Sequence, residues 1–255
     1  MARRLAGFMI DCQDSKLAMA RKFWSGALGL PVVDANEGGE GRYALLGTAA
    51  GHWHVEVQVV DHPSRLHLDI EADDIEVEAD RLEALGAKKI SNPRGRWWVM
   101  QAPTGHRFCV VRWRGDRDAV TPPVKQRGAK HRSGLVALVL DCQVESLDIA
   151  IDFWSQALHR GVASRDQDGD GKYGEIETSD DEPYLLLQRV DHEPRAHLDL
   201  QTDDLDAEVA RLEALGATRV KFIKRWWVMQ APTGHRFCVV RQQPNKPGLP
   251  QNAWT

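Results

Sequence analysis

The 255-residue chain is long enough for one large domain or two small ones, and its 42% apolar and 27% charged residues suit a soluble globular fold. A net charge of −4 with no basic stripe leaves the nine tryptophans without the cationic groove that nucleic acid requires, so no nucleic-acid partner is expected. The apolar run after Met1-Ala2-Arg3-Arg4 is broken by Asp11 and Asp14, and no stretch approaches the roughly 20 apolar residues of a membrane span. Neither a signal peptide nor a membrane partner is therefore expected, and the expected compartment is the cytoplasm. Cys12, Cys109, Cys142 and Cys238 form no CxxC and read as reduced, buried thiols.

In chain order, Leu5–Cys12 reads as a strand. Asp14 or Ser15 can cap the helix after it, which carries Leu17, Ala20, Phe23, Trp24 and Leu28 on one face and ends at Gly29. Strands are expected over Pro31–Ala35, Arg42–Leu46 and His54–Val60, with Trp53 in a loop or at an edge. Leu66–Glu71 alternates as a strand, Asp73 and Asp74 open a helix with Ile75, Ala79, Leu82 and Leu85 on one face, and Gly86 ends it. Lys88–Ser91, Trp97–Gln101 and Phe108–Arg112 are the next strands. The order is β-α-β-β-β, twice.

All of this then recurs. RWWVMQAPTGHRFCVVR occupies Arg96–Arg112 and Arg225–Arg241, and RLEALGA occupies Arg81–Ala87 and Arg211–Ala217. Asp11-Cys12-Gln13 returns as Asp141-Cys142-Gln143, Phe23-Trp24 as Phe153-Trp154, and His67-Leu68-Asp69 as His197-Leu198-Asp199. Internal duplication is the first fact to extract from such a chain. It divides the sequence into a domain at 2–113, a charged, Pro-containing linker at 114–133, a second domain at 134–241 and a Pro-containing tail at 242–255.

One helix for every four strands covers one face of a sheet, so the other face is free to curl into a cup, the default ligand site. The expected class is α+β: two tandem domains, each of two βαβββ modules forming a curved mixed sheet around a cup. Alternation lets the cup face be listed. Its polar positions in both copies are Asp11/Asp141, Gln58/Gln188, His67/His197 and Asp69/Asp199. His67 with Asp69 reads either as a base with an orienting carboxylate or as a polar pair that joins strands. Adjacent tryptophans on a strand point to opposite faces, and Trp98 and Trp227, with Trp24 and Trp154, are candidates to stack on a flat ligand. Asp166–Glu177 has calcium-loop spacing, with Asp166, Asp168, Asp170 and Glu177 as ligands, but it sits where a hairpin turn is expected.

Paired β-α-β-β-β modules, helices ending in Ala-Leu-Gly, and the strand-turn-strand x-P-x-G-x-x-F resemble the vicinal oxygen chelate superfamily, in its glyoxalase/bleomycin-resistance branch. The resemblance covers both domains. It implies a small-molecule cup and, in metal-dependent members, a His or Gln on the first strand, a His opening the second module and a Glu after the x-P-x-G turn. Here the histidine is present as His67 and His197, the Glu position holds Cys109 and Cys238, and the first-strand position falls near Gly7 and Ala137, with Gln58 and Gln188 nearby. The resemblance thus implies an incomplete triad, and a divalent metal only if the thiols join it. The expected function is binding of a small organic ligand, by a monomer or homodimer. The alternatives are a metal-dependent lyase, isomerase or ring-cleaving dioxygenase, and a structural protein with inert cups.

Overall fold

Two periodicities, alternate in the strands and helical between them, lay out the same elements in both halves of the chain. In the first half, β1 (Arg3–Gln13), α1 (Leu17–Leu28), β2 (Val32–Glu37), β3 (Tyr43–Leu46) and β4 (His54–Val60) make one module. β5 (Arg65–Ala72), α2 (Ile75–Ala84), β6 (Lys88–Ser91), β7 (Trp97–Gln101) and β8 (Arg107–Arg112) make the next. The second half repeats them as β9 (His131–Cys142), α3 (Leu147–Leu158), β10 (Val162–Ser164), β11 (Tyr173–Ile176), β12 (Tyr184–Arg189), β13 (Arg195–Thr202), α4 (Leu205–Ala214), β14 (Thr218–Ile223), β15 (Trp226–Gln230) and β16 (Arg236–Arg241). A last strand, β17 (Asn252–Trp254), follows. The computed structural model describes residues 2–13, 16–37, 39–47, 53–115, 128–165, 169–243 and 251–255.

Each half forms one mixed sheet, in the order β2-β3-β4-β1-β5-β8-β7-β6 and its equivalent β10-β11-β12-β9-β13-β16-β15-β14. β1 lies at the centre, parallel to β4 and antiparallel to β5, and β5 is parallel to β8. Asp74 and Asp204 cap α2 and α4, accepting from backbone N–H groups of the first turn. α1 begins after Lys16, whose side chain makes no cap bond, and the cap candidates Asp14 and Ser15 lie outside the described residues.

One face of each sheet packs against helices. Phe8, Ile10, Leu68, Ile70, Phe108 and Val110 and their counterparts join a single buried cluster drawn from both repeats. Trp53 belongs to it as well: it lies in the connection just before β4, yet it is 3% exposed and its ring lies 6.0 Å from that of Phe8.

Trp24 and Trp154, expected to stack on a ligand, also lie in this cluster, and both are 0% exposed. Trp24 Nε1 donates to Thr233 Oγ1 at 3.1 Å and Trp154 Nε1 to Thr104 Oγ1 at 3.3 Å, each across to the other repeat. Their helical spacing with Phe23 and Phe153 turns them away from the cups and into the joint between repeats. Phe237 and His235 flank Trp24, and Phe108 and His106 flank Trp154.

The same joint fixes two histidines as neutral imidazoles. Thr104 Oγ1 accepts from Trp154, which leaves its O–H to donate to His106 Nδ1 at 2.9 Å, while His106 Nε2–H donates to Arg195 O at 3.1 Å. Thr233, His235 and Arg65 O repeat the arrangement. Burial outweighs the carbonyl each ring meets and holds both pKa values below the ordinary range. At these two rings the folded state therefore binds fewer protons than the unfolded chain. Stability from these groups is full above a pH of about 6.5 and is lost as pH falls below it. The stability difference between about pH 7 and about pH 5 is expected to shrink in His106→Asn/His235→Asn, measured by urea denaturation; an unchanged slope would refute this.

Two arginines tie the helices together. Arg81 grips the fully buried Glu78 and donates to Gln156 O and Ala157 O in the last turn of α3. Arg211 grips Glu208 and donates to Gly26 O and Ala27 O in the last turn of α1. Each supplies a cation and donors where a helix C-terminus has unsatisfied carbonyls.

The tail closes one side. β17 pairs with the start of β9, Trp254 Nε1 donates to Ser133 Oγ at 2.7 Å, and Arg211 lies over the Trp254 ring. Asn252 covers the end of α1, donating to Leu28 O. This explains a difference between repeats. Both first-module helices end in a left-handed residue, Gly29 (φ 67) and His159 (φ 53). A Cβ on Gly29 would come within 1.8 Å of Asn252 Nδ2. Gly29→Ala is expected to cost about 1–2 kcal/mol and to speed amide exchange in Asn252–Trp254. Slow exchange in that strand of the variant would show that the tail does not depend on this contact.

Candidate functional site

The opposite face of each sheet carries the polar residues. With Leu66, Leu68 and Ile70 in the core, His67, Asp69 and Glu71 share the cup face of β5. By the same parity Met9 and Asp11 face the cup from β1, His54, Glu56 and Gln58 from β4, and Arg107, Cys109 and Val111 from β8. Leu45, Val99 and Val111 on this face are half-buried, so it is open to solvent in part.

Residues brought together from three strands centre on His67. Its Nδ1 lies 3.0 Å from Asp11 Oδ2, and its Nε2 lies 3.4 Å from Asp69 Oδ1. Asp11, 1% exposed, is also met by Arg65 Nε at 3.1 Å. His54 Nε2 stands 3.5 Å from Asp69 Oδ2. The two meet over Gly7, which pairs with both His54 and Asp69 in register. A Cβ on Gly7 would fall 1.9 Å from His54 O, so only glycine fits there. The Cys109 thiol completes the group: His67, Asp69 and Cys109 offer ligand atoms all within 4.8 Å of one another, and His197, Asp199 and Cys238 do the same.

Burial opposes charge on His67, but the Cys109 sulfur and the two carboxylates push its pKa well above the ordinary value, and His197 shifts likewise. Burial pushes both thiols up as well, so at neutral pH the carboxylates hold the proton on the imidazole. Burial would raise Asp11 and Asp69, yet His67 with Arg65, and His54 with His67, hold them below the ordinary range. Asp69 Oδ1 and Asp199 Oδ1 are buried and face the imidazole Nε2 of His67 and His197 at 3.4 and 3.5 Å.

The second cup keeps the group but changes its surroundings. His197 Nδ1 lies 3.2 Å from Asp141 Oδ2 and His197 Nε2 3.5 Å from Asp199 Oδ1. The places of His54 and Glu56 are taken by Tyr184 and Leu186, which pack with Val136, Ala137, Val139 and Val240 into an apolar wall.

Several expected positions differ. Gln58 and Gln188 face the cups, and each donates to a tyrosine, Tyr43 at 2.9 Å and Tyr173 at 3.3 Å. Gly7 and Ala137 offer no ligand atom. Trp98 and Trp227 pack against the helix-side core: Trp98 Nε1 donates to Glu76 on α2, and Trp227 lies against Phe222. Parity gives the cup face to Trp97 and Trp226 instead. In the acidic segment, Asp166 and Asp168 lie outside the described residues, Asp170 pairs with Lys172, and Glu177 follows β11 and lies against Gly161. The connection joins two strands, and Asp170 and Glu177 are in neither group of side chains close enough to share an ion among the described residues. His54, Arg65, Arg107 and Arg236 were not singled out from sequence. Counting parity outward from His67 would have reached Arg107, but His54 has no counterpart in the second repeat to mark it.

Comparison with known proteins gives the family. A family model described as "Glyoxalase-like domain" matches residues 7–111 and again 137–240. No curated protein sequence matches. Among solved structures, the chain is similar to the Mn(II)-bound glyoxalase from Novosphingobium aromaticivorans, with a TM-score of 0.61 at 16% identity, covering 97% of this chain and 91% of that one. It is also similar to 2,2',3-trihydroxybiphenyl 1,2-dioxygenase from Sphingomonas wittichii strain RW1, with a TM-score of 0.58 at 15% identity over 95% and 91%. A 2,3-dioxygenase from Pseudomonas sp. KL28 gives a TM-score of 0.60 at 12% identity over 96% of each chain. At these identities the likeness is one of fold.

Proposed function

The chain belongs to the glyoxalase-like domain family, and on that footing we propose that it binds a small organic molecule in its cups, anchored on His67, Asp69 and Cys109 and on His197, Asp199 and Cys238. The observation that carries this is the recurrence of one buried group, His-Asp-Cys with ligand atoms within 4.8 Å of one another, at the same point of both cups. Trp97 and Trp226 add an aromatic surface at the same face. Ligand-observed NMR against a library of small polar aromatics, with indole shifts of Trp97→Phe and Trp226→Phe as assignment controls, tests the reading. A library that leaves every cup-face resonance unmoved would sink it.

A second reading, a metal-dependent lyase, isomerase or ring-cleaving dioxygenase, is favoured by the His-Asp-Cys geometry. The donor set fits a zinc-class ion: imidazole and thiolate are its usual ligands, and three protein ligands leave one position open. Asp11 stands behind His67 as the carboxylate that orients a ligating imidazole. A bound ion would supply a Lewis acid beside the ligand and would deprotonate Cys109. The chain's own residues would orient the substrate against Trp97, with the His54 imidazole beside Asp69. Metal content by plasma mass spectrometry, on protein made without a His-tag or chelator, decides this. Near-stoichiometric metal that falls in His67→Ala/His197→Ala supports it, and metal-free protein after incubation with each ion excludes it.

A further inference from the structure

Among the cup-face cations, Arg107 on β8 and its counterpart Arg236 on β16 stand apart. Asp11 is engaged by Arg65 and His67, Asp69 by His67 and His54, and Glu71 by Arg4. Among the described residues, Arg107 and Arg236 make no ion pair and no side-chain hydrogen bond, and Nη1 of each is buried without a partner. A buried guanidinium N–H left unmade is costly, and its recurrence in both repeats shows that it is not a local accident of one.

Register places these arginines. β5 and β8 run parallel with Leu68 opposite Phe108, so Arg107 is the cup-face neighbour of His67. β7 flanks it on the other side, where Gln101 pairs with Arg107, and Gln230 pairs with Arg236 in the second sheet. Burial and the nearby Arg65 charge both work against the Arg107 charge, so a counter-anion would relieve two penalties at once.

We propose that each cup recognises the carboxylate of a small organic acid, with Arg107 and Arg236 as the residues that bind it. This deepens the small-molecule reading above and rests on it. A guanidinium presents a planar fork of donors matched to a carboxylate, and a single guanidinium per cup without a partner among the described residues matches one carboxylate better than a dianionic phosphate monoester. The organic part then lies toward Trp97 or Trp226. In the first cup it meets His54 and Glu56, and in the second the wall of Tyr184 and Leu186.

The test uses the full chain and matched probes: benzoate, phenylacetate and butyrate against benzamide, phenylacetamide and butyramide, with phenyl phosphate as the phosphate arm, read by ligand-observed NMR and calorimetry. At least one carboxylate is expected to bind roughly tenfold or more tightly than its amide, with an affinity that falls as salt rises. Arg107→Gln/Arg236→Gln is expected to abolish that preference while the thermal midpoint is kept. Arg107→Lys/Arg236→Lys is expected to restore only part of it, because the ammonium lacks the fork. Amides that bind as well as carboxylates overturn the carboxylate assignment and leave the cup reading standing. Phenyl phosphate that outbinds benzoate overturns it in favour of a phosphate. If no probe of either kind binds, both readings fall.

Discussion

Trp24→Ala is expected to lower the unfolding free energy by about 3–5 kcal/mol, the range for removing a large aromatic from a closed core. Trp24 is 0% exposed, donates its indole N–H across the joint to Thr233, and packs edge-on against His235 and Phe237 of the other repeat. Truncation leaves a cavity lined by both repeats and orphans the Thr233–His235 pair. Because one buried cluster spans the two repeats, unfolding is expected to stay a single transition, with fluorescence and circular dichroism coinciding in a urea titration. Trp154→Ala is expected to behave alike, since it makes the mirror-image contacts with Thr104, His106 and Phe108. A loss below about 1 kcal/mol, or a melt that splits into two steps, would mean that the repeats fold independently.

Arg211→Met is expected to cost about 3 kcal/mol, the next largest effect, although methionine keeps much of the stem volume. Four hydrogen bonds disappear: two to Glu208, which is 0% exposed, and two to the carbonyls of Gly26 and Ala27 at the end of α1. Among the described residues, the buried Glu208 carboxylate then keeps the His131 imidazole, at 2.9 Å, as its side-chain partner. The cation over the Trp254 ring is lost as well, so the tail loosens with the helix. Urea denaturation measures the first effect, and hydrogen exchange of Asn252–Trp254 the second. If Glu208→Gln/Arg211→Met proves no more stable than Arg211→Met alone, the cost does not come from the stranded carboxylate.

These contacts explain which residues the two repeats share. In a two-fold joint, residue i of one copy meets j of the other and the reverse also holds, so both copies must keep both partners. RLEALGA carries Arg81 and Arg211, and the APTGHRF turn carries Thr104 with His106 and Thr233 with His235. Much of the longest identity between the copies therefore belongs to the joint. Read as sequence, it directs attention to the tryptophans as ligand platforms; in the structure Trp24 and Trp154 serve the joint.

Local pattern was enough for the duplication, the element order, the α+β class with one helix-covered face per sheet, and the cup-face parity of His67, Asp69 and Asp11. Those features follow from periodicities of two and 3.6 residues and from caps such as Asp74, which act over a few neighbouring residues. Only the tertiary structure decided which tryptophan of each pair turns inward. It also decided that Asp69 stands with His67 and Cys109, and that Gly7 lets His54 reach Asp69. Each of these depends on register between strands far apart in the chain, where a shift of one residue exchanges the two faces and no local pattern reports it.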